Sequence, residues 1–554
     1  MKRRASIISL LLCMSLLFTG SPGILAFADN GELPVAWLDG TPETISPEDL
    51  DAIPVATPDM TKDELRQICV DFMRLQQGFI WTPAEDLDYL CASASTADEN
   101  GLHHYKAGQY YAGLPYGGGS ATLYSALDYY DPDTGVWDVS ALVSGTAFPL
   151  TNDCGTSVVW SLSRVCNSLS KFGGTVTMTK KNGFLPVGPY QYDFEIEKYT
   201  ASEKTLSKAI CQTNGEQVMF ESYAQVRKAD GIVRRYQENG HARMVVEDAF
   251  VVRKGDGTID GAKSYLKTCE QSSGKSTRES YGHTVIQNGW IDKQYTFSKL
   301  FKDGYLPFTV AELNGSEPVE RAQVSLSNTG SDLSFDALRK EVVHTNYPIA
   351  KVALTLTGAD GHLVYKETKN VKLSKLYADY TLSDLIPASL SASGHVLIEA
   401  TVGTGETLPV YEGEACYDAS GLFHGSHDYI AVVTDPTLTT GGYTTYTCSR
   451  CGNTYVADET EALGPLWGDA NGDGSVNNKD IVCLKNYLAY YDAEGQTSVH
   501  EGVTYSLKSG ADANGDGKEN NADIVRLKKY LMFFDELTGK SMDGENEIVL
   551  GPAS

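Results

Sequence analysis

Cys154 is the residue of this sequence whose surroundings best suit covalent catalysis. It stands in TNDCGTSVVW, after an acidic residue and before apolar residues that recur at helical spacing. A thiol at the N-terminus of a helix lies at the positive end of the helix dipole, which lowers the pKa of the thiol and favours the nucleophilic thiolate. The pattern therefore predicts Cys154 as a nucleophile, with Asp153 capping the helix or orienting the loop before it.

A cysteine nucleophile requires a base, and His241 is the best candidate in this part of the chain. It opens an alternating strand in NGHARMVVEDAFVV, and SYLKTCEQ at 264–271 predicts a neighbouring strand. The end of that second strand carries Glu270 and Gln271, either of which would fix the tautomer of the imidazole, with Glu270 preferred. In the alternative interpretation Cys154 is a small buried core residue and His241 is structural.

The segments around these residues resemble the NlpC-type cell-wall cysteine peptidases over about residues 100–275. The resemblance rests on Tyr111, Gly113, Pro115, Tyr116, Gly118, Asp153, Cys154 and His241. It implies a papain-like α+β domain that cleaves peptide or amide bonds in peptidoglycan stem peptides. It also implies that Tyr116 and the backbone N–H of Cys154 stabilise the oxyanion. The chain departs from the family in Gly155-Thr156, where Ser-Gly is usual, and in its longer segment between Tyr116 and Cys154.

Two copies of an Asp- and Asn-rich loop near the C-terminus have the ligand spacing of a calcium site. Each copy offers oxygen ligands at loop positions 1, 3, 5, 9 and 12, a glycine for a sharp turn at position 6, and a backbone carbonyl at position 7. Apolar residues at helical spacing follow each loop. The predicted Ca²⁺ ligands are Asp469, Asn471, Asp473, Ser475, Asn477 and Asp480 in the first loop, and Asp512, Asn514, Asp516, Lys518, Asn520 and Asp523 in the second.

This repeat resembles the type I dockerin module, over about residues 465–535. The position 12 residue is Asp rather than the Glu of an EF-hand sensor, and no helix pattern precedes either loop. The resemblance implies a cohesin domain of a scaffoldin as partner, chosen with the help of Asn478, Lys479, Asn521 and Ala522. The chain departs from the family in the long spacer at about 490–510 between its two copies.

A Cys-Ser-Arg-Cys sequence at 448–451 offers two thiolates at the spacing of a zinc knuckle, with His427 as a third candidate ligand. Cys416 or His424 would complete the site. The stretch resembles small zinc-ribbon-like repeats of secreted bacterial proteins. A disulfide or a degenerate ribbon without metal is the alternative interpretation, and in either case the role is structural.

Composition and the N-terminus indicate an exported protein. The first residues have a basic start, an apolar middle and an Ala-Phe-Ala exit, which is the pattern of a secretory signal peptide. A formal net charge of -27 at pH 7 argues against a nucleic-acid partner. No later run has the roughly 20 apolar residues of a membrane span. We therefore expect a secreted, extracellular protein held on a scaffoldin complex or at the cell surface.

The secondary structure that the sequence predicts around these residues indicates a multidomain chain. A Thr-capped amphipathic helix at TKDELRQICVDFMRLQQGFI would pack on the catalytic domain, and strands of period two between about 310 and 415 indicate a β-sandwich-like spacer or binding module. The predicted order is signal peptide 1–28, papain-like α+β catalytic domain 29–310, β-rich spacer 311–415, zinc-ribbon-like segment 416–462, α-helical dockerin 463–540 and tail 541–554.

The sequence thus supports two functions of different class. The first is a dockerin-anchored cysteine peptidase or amidase, with peptidoglycan or another peptide as substrate. The second is a catalytically inactive adaptor or binding protein of the same complex. They differ in whether Cys154 is reactive.

Overall fold

A computed structural model gives the fold of residues 50–552, except for 92–96, 120, 144, 168, 170–182, 192–205, 236–239, 281–282, 329, 331–332, 372–378 and 438–439. The predicted signal peptide lies outside these described residues. The chain divides into two compact units. The first ends at Tyr417, and the second runs from Asp418 onward and includes Ala359–His362.

The first unit begins with a helix and a set of short strands. Its helices are α1 (Lys62–Gly78), α2 (Leu123–Ala126), α3 (Cys154–Leu162), α4 (Leu206–Asn214), α5 (Glu216–Tyr223), α6 (Phe297–Asp303), α7 (Ala311–Asn314) and α8 (Phe335–Leu338), with short 3-10 turns at Leu127–Tyr129, Ser140–Leu142 and Leu382–Asp384. Its first strands are β1 (Ile80–Pro83), β2 (Leu87–Leu90), β3 (Leu102–Tyr105), β4 (Tyr110–Ala112), β5 (Tyr130–Asp131), β6 (Val136–Trp137), β7 (Phe184–Pro186), β8 (Gly231–Arg235), β9 (Gly240–Val245), β10 (Tyr265–Ser280), β11 (His283–Thr296) and β12 (Leu306–Val310).

Ten of these strands form one mixed sheet in the order β5-β6-β1-β4-β11-β10-β9-β8-β12-β7. The predicted helix at 61–80 is confirmed as α1, because Thr61 accepts a hydrogen bond from the Glu64 N–H and the Glu64 carboxylate accepts one from the Thr61 N–H. α3 packs against α1, β9 and β10. Every residue of α3 is buried, so this helix is held inside the unit rather than on its surface. Such a helix presents its first residue at one fixed place beside the sheet.

The spacer region follows directly and has two further sheets. Its strands are β13 (Val324–Leu326), β14 (Val342–Thr345), β15 (Ile349–Thr357), β16 (Leu363–Asn370), β17 (Asp379–Thr381), β18 (Gly394–Val402) and β19 (Thr407–Ala415), paired in the orders β13-β14-β17 and β16-β15-β18-β19. The central strands β15 and β18 alternate buried and partly exposed residues, as the period-two pattern predicts.

The predicted boundary at residue 310 does not separate two compact units. Lys62 Nζ donates to the Glu312 carbonyl at 2.8 Å, and Lys351 forms an ion pair with Asp128 at 2.7 Å. These contacts tie the chain beyond 310 to the region that precedes it. The first unit therefore continues through the spacer to Tyr417.

The second unit contains a three-stranded meander and a pair of helices. Its strands are β20 (Tyr429–Thr434), β21 (Tyr443–Cys448), β22 (Thr454–Ala457), β23 (Tyr491–Asp492), β24 (Thr497–His500), β25 (Val503–Tyr505), β26 (Phe534–Asp535), β27 (Lys540–Asp543) and β28 (Asn546–Glu547), its helices are α9 (Asn478–Ala489) and α10 (Asn521–Phe533), and a 3-10 turn lies at Ser509–Ala511. Ile481 and Leu484 of α9 pack with Ile524 and Leu527 of α10 in one small core.

The duplication in this unit is longer than the loop-helix repeat predicted from the sequence. Each helix is followed by a small β-meander with the same pairing, Tyr491 with Ser498 in the first copy and Phe534 with Ser541 in the second, 43 positions further on. The spacer at 490–510 is thus part of the repeat. The predicted tail at 541–554 is corrected in the same way, because Ile548 N–H donates to the Ser541 carbonyl at 2.7 Å.

Candidate active site and cation loops

The N-terminus of α3 is fixed by its own cap and by the approach segment. Asp153 accepts a hydrogen bond from the Thr156 N–H at 2.7 Å, so its predicted capping role is confirmed. The approach segment forms a parallel bridge between Tyr116 and Asn152, and the Asn152 N–H donates to the Pro115 carbonyl at 2.8 Å. The peptide before Cys154 therefore has little freedom to move.

The Cys154 thiol lies between this approach segment and the start of β9. The backbone N–H groups of Ala242 and Gly155 lie close enough to the sulfur to favour its ionised form and lower its pKa. The Tyr116 side chain is also near the thiol, since Cys154 raises the pKa of the Tyr116 hydroxyl after the larger effect of burial. Because Ala242 directly follows His241, the fold places the beginning of the predicted histidine strand beside the predicted nucleophile.

Glu270 meets the imidazole of His241 from the neighbouring strand. The Nε2 atom of His241 and the carboxylate of Glu270 form a hydrogen bond, and the register of β9 and β10 pairs Cys269 with Met244. An ionised carboxylate accepts, so Nε2 carries the proton and Nδ1 has the lone pair that a general base needs. Gln271, the other candidate, donates its side-chain amide to the Leu114 carbonyl instead.

Burial controls the protonation of the site. It raises the pKa of Cys154 to about 12, with a further rise from the negative charge of Asp153, against a lowering by the backbone N–H of Ala242. It also lowers the pKa of His241, and this outweighs the opposing effect of Glu270. Both groups are therefore neutral near pH 7.

The prediction that the helix dipole makes Cys154 a thiolate is thus wrong for the resting site. The backbone N–H groups at the start of α3 do favour the thiolate, but the cost of desolvating the charge in a site where Cys154 is 4% exposed is larger. The arrangement can still act by general-base catalysis, in which the proton leaves the sulfur while the sulfur attacks.

Two residues that the sequence reading did not single out complete the surroundings of Glu270. Its carboxylate accepts hydrogen bonds from the Arg243 guanidinium and, at 2.6 Å, from the Tyr295 hydroxyl. Burial raises the pKa of Glu270, but the hydrogen bonds from His241, Arg243 and Tyr295 outweigh this and hold it well below its usual range. Arg243 stands two residues after His241 in an alternating strand, so the sequence could have predicted that both side chains lie on the same face of the sheet.

The adjacent histidines His103 and His104, which precede the approach segment, lie in different environments. His103 is buried, hydrogen-bonds the Tyr89 hydroxyl at 3.3 Å, and has its pKa lowered to about 4 by burial. His104 is exposed beside Asp88. Alternation along β3 separates the two rings, and Tyr89 in turn donates to the Tyr116 carbonyl at 2.8 Å.

The two Asp- and Asn-rich loops have matching geometry. Asp469 accepts from the N–H groups of Gly472 and Gly474 at 2.7 and 2.8 Å, and Asp512 accepts from the equivalent glycines at 2.9 and 2.7 Å. Gly474 has φ 82° and Gly517 φ 81°, the left-handed conformation that the sharp turn at position 6 requires. Asn477 and Asn520 also cap α9 and α10.

The donor set of these loops fits Ca²⁺. Asp480 and Asp523 are fully buried, and each accepts two backbone N–H groups, at 3.1 and 2.8 Å in the first loop and at 3.1 and 2.7 Å in the second. Burial first, and then the negative charges of Asp512 and Asp516, raise the pKa of Asp523 despite its N–H donors. A hard cation with oxygen ligands is what neutralises such a group of carboxylates.

The predicted zinc ligands within the second unit also come together. His427, Cys448 and Cys451 present ligand atoms within 4.8 Å of one another, and Cys451 Sγ lies 3.2 Å from His427 Nδ1. Burial opposes ionisation of Cys448, but the N–H groups of Cys451, Asp428 and Arg450 and the His427 side chain lower its pKa to about 6. A thiolate is the form that binds zinc.

Comparison with known protein families identifies one part of the chain. Residues 467–532 match the family of type I dockerin domains. This domain implies calcium binding, a cohesin partner and association with an extracellular, cellulosome-type complex. No curated protein and no solved structure matches the chain. Among the described helices, none combines the length and the apolar character that crossing a membrane requires.

Proposed function

We propose that this dockerin-bearing chain is a cysteine hydrolase that cleaves peptide or amide bonds while anchored to a scaffoldin. The observation that carries the proposal is the convergence of three groups at one place. Cys154 begins a buried helix that packs on β9, the backbone N–H of the residue after His241 lies near its sulfur, and Glu270 hydrogen-bonds that imidazole. A nucleophile, a base and a third group that orients the base are the set that cysteine peptidases use.

In the first step, Cys154 Sγ attacks the carbonyl carbon of the substrate while its proton passes to Nδ1 of His241. The new oxyanion would receive hydrogen bonds from the backbone N–H of Cys154 and from the Tyr116 hydroxyl. The carbon–nitrogen bond then breaks, and the imidazolium returns the proton to the leaving amine. The product is a thioester with Cys154.

In the second step, His241 takes a proton from water as the water oxygen attacks the thioester. The sulfur leaves, takes back the proton, and the carboxylic acid product departs. Glu270 stays ionised in both steps and stabilises the transient imidazolium. Its buried carboxylate, 2% exposed, acts in a region of low dielectric, where this attraction is strong.

Peptidoglycan stem peptides are the proposed substrate because of the family resemblance of this region. Proteins or esters of plant or microbial walls are the other substrates of the same reaction class. One observation favours the adaptor function instead, because a cysteine that is 4% exposed with a raised pKa is protected from most reagents.

Alkylation of the full chain with iodoacetamide, followed residue by residue by peptide mass spectrometry, separates the two functions. We expect Cys154 to react at least about tenfold faster than Cys69, Cys211 and Cys269 near pH 7, because Cys154 begins a helix beside β9 and the proposed function gives it His241 as a base. The His241→Ala chain should lose this advantage. Equal rates for all four thiols, unchanged in His241→Ala, would favour the adaptor.

The zinc-ribbon-like segment is proposed to hold one structural zinc ion through His427, Cys448 and Cys451. The sequence offers either Cys416 or His424 as the fourth ligand. Nε2 of His424 lies 2.8 Å from the Asp418 carboxylate, which engages the ring. This contact leaves Nδ1 of His424 as the ring atom that would bind a metal, so both candidates remain.

We expect about one zinc ion per chain after purification without chelators, as measured by elemental mass spectrometry. Cys448→Ser and Cys451→Ser should each lose the ion, and whichever of Cys416→Ser and His424→Gln also loses it identifies the fourth ligand. Retention in Cys448→Ser together with Cys451→Ser would mean that the zinc is held elsewhere. An absence of zinc from the parent would leave the metal-free ribbon.

A further inference from the structure

We propose that Arg243 and Tyr295 are positioning residues of this site. They hold the Glu270 carboxylate in its ionised form, so that His241 carries its proton on Nε2 and has Nδ1 free to act as the base. The inference rests on the proposed function, since it concerns how the base is prepared. Neither residue contacts the sulfur in the described contacts. Both act through Glu270.

The hydrogen bonds to Glu270 use both of its oxygens. Oε2 accepts from Nε2 of His241 and from Nε of Arg243, and Oε1 accepts from the Tyr295 hydroxyl at 2.6 Å. His241 and Arg243 lie two residues apart in β9, so their side chains share one face of the sheet. Tyr295 reaches the same carboxylate from β11, on the far side of β10.

The position of Arg243 is itself fixed. Its guanidinium carbon lies 3.9 Å from the ring centre of Tyr295 and 4.5 Å from that of Tyr305, and the residue is 8% exposed. Such cation–π contacts hold the guanidinium in place. A buried ion pair adds little net stability compared with apolar packing, so stability alone does not account for this one.

The charge of Arg243 has a specific effect on the imidazole. With Glu270 ionised, the carboxylate accepts from Nε2–H and Nδ1 is free to take the proton of Cys154. A protonated Glu270 would instead donate to Nε2, which would place the ring proton on Nδ1 and remove the base. Arg243 and Tyr295 stabilise the ionised carboxylate, and so keep the productive tautomer.

Other charged and titratable groups also surround the pair, and they set the background on which these two residues act. They are Arg234 on β8, Lys293 on β11, Tyr305 before β12, and Asp153 and Cys154 at the start of α3. Arg234 lowers the pKa of His241, and the negative charge of Glu270 acts on Lys293. None of these is among the hydrogen-bond donors to Glu270 described above.

The test is the pH dependence of iodoacetamide alkylation at Cys154 in the full chain, from about pH 5 to about pH 9. Glu270 stays ionised over this range, so the acid limb reports the protonation of His241. In Tyr295→Phe and Arg243→Gln the carboxylate loses a donor and stabilises the imidazolium more strongly, and loss of the Arg243 charge raises the pKa of His241 further. We expect the acid limb of the rate profile to move up by about one pH unit, with the largest fall in rate, up to about tenfold, near pH 5 and recovery toward pH 9. A purely structural role would lower the rate at every pH without moving the limb.

Arg253→Gln is the matched control, because it removes a guanidinium from an exposed ion pair with Glu221 in the same unit. It should leave the profile unchanged. If Arg243→Gln does not fold, Tyr295→Phe, which removes one hydroxyl, decides alone. A folded Tyr295→Phe chain with an unmoved limb overturns the inference and leaves the proposed function intact. A parent in which Cys154 reacts no faster than the other buried thiols overturns both.

Discussion

The Cys154→Ala chain is expected to release no new amino groups from purified peptidoglycan, whereas the parent chain releases them steadily. Cys154 is the only group of the site that can form the thioester, so its loss removes the whole reaction path. His241→Ala should lower the rate by at least about a thousandfold, since the neutral thiol then has no base. The measurement is the amount of new primary amine released by the full chain, with stem-peptide products identified by mass spectrometry.

Cys211→Ser is the control for this experiment, because Cys211 is equally buried and lies outside the catalytic set. It should retain the activity of the parent. A parent that is inert on peptidoglycan while Cys154 still reacts with iodoacetamide would remove peptidoglycan as the substrate and leave the chemistry. Activity that survives in both Cys154→Ala and His241→Ala would place the reaction elsewhere in the chain.

Local signals in the sequence were enough to predict the caps and turns around both sites. Thr61 and Asp153 each stand before an apolar run, and both cap the helix that follows. The glycines at position 6 of the two loops adopt the positive φ that the loop pattern requires. These features depend only on residues within one turn of the chain, and so a single sequence contains them.

The environment of Glu270 could be predicted only in part. The strand order along the chain brought Glu270 and Gln271 near His241, but the choice between them depends on which face of β10 each occupies. Tyr295 reaches the carboxylate from a strand that begins after residue 282, and nothing near Tyr295 in the sequence points to that contact. Long-range pairing of this kind depends on the register of the sheet.

Burial was the main quantity that the sequence did not contain. A Cys at a helix start predicts a lowered pKa when the site is partly open, and the opposite holds when the helix is enclosed on all sides. The meanders after α9 and α10 were missed for a different reason, because they contain no ligand residues and few identities. Their equivalence becomes clear from the matching pairs at Ser498 and Ser541.

Asp512→Ala is expected to abolish calcium binding in the second loop and to lower the free energy of unfolding of the dockerin. Asp512 supplies the position 1 carboxylate and also accepts three backbone N–H groups that shape the loop, from Gly515, Asp516 and Gly517. At a calcium concentration about a thousand times the dissociation constant, bound ion contributes about 4 kcal/mol to the free energy of unfolding. Calcium per chain, measured by elemental mass spectrometry after dialysis, should fall from about two to about one in Asp512→Ala.

Glu519→Ala is the control that separates the loss of a calcium ligand from the loss of a negative charge. Glu519 is an exposed carboxylate at position 8 of the same loop, where no ligand is required, so its removal changes the net charge as much as Asp512→Ala does. It should keep both ions and a calcium-dependent unfolding temperature. Asp469→Ala should repeat the loss in the first loop, because Asp469 makes the same hydrogen bonds as Asp512 there. If both Asp512→Ala and Glu519→Ala lose one ion, net charge is what attracts it. If only Asp512→Ala loses one, the ion is held by the ligand geometry of the loop.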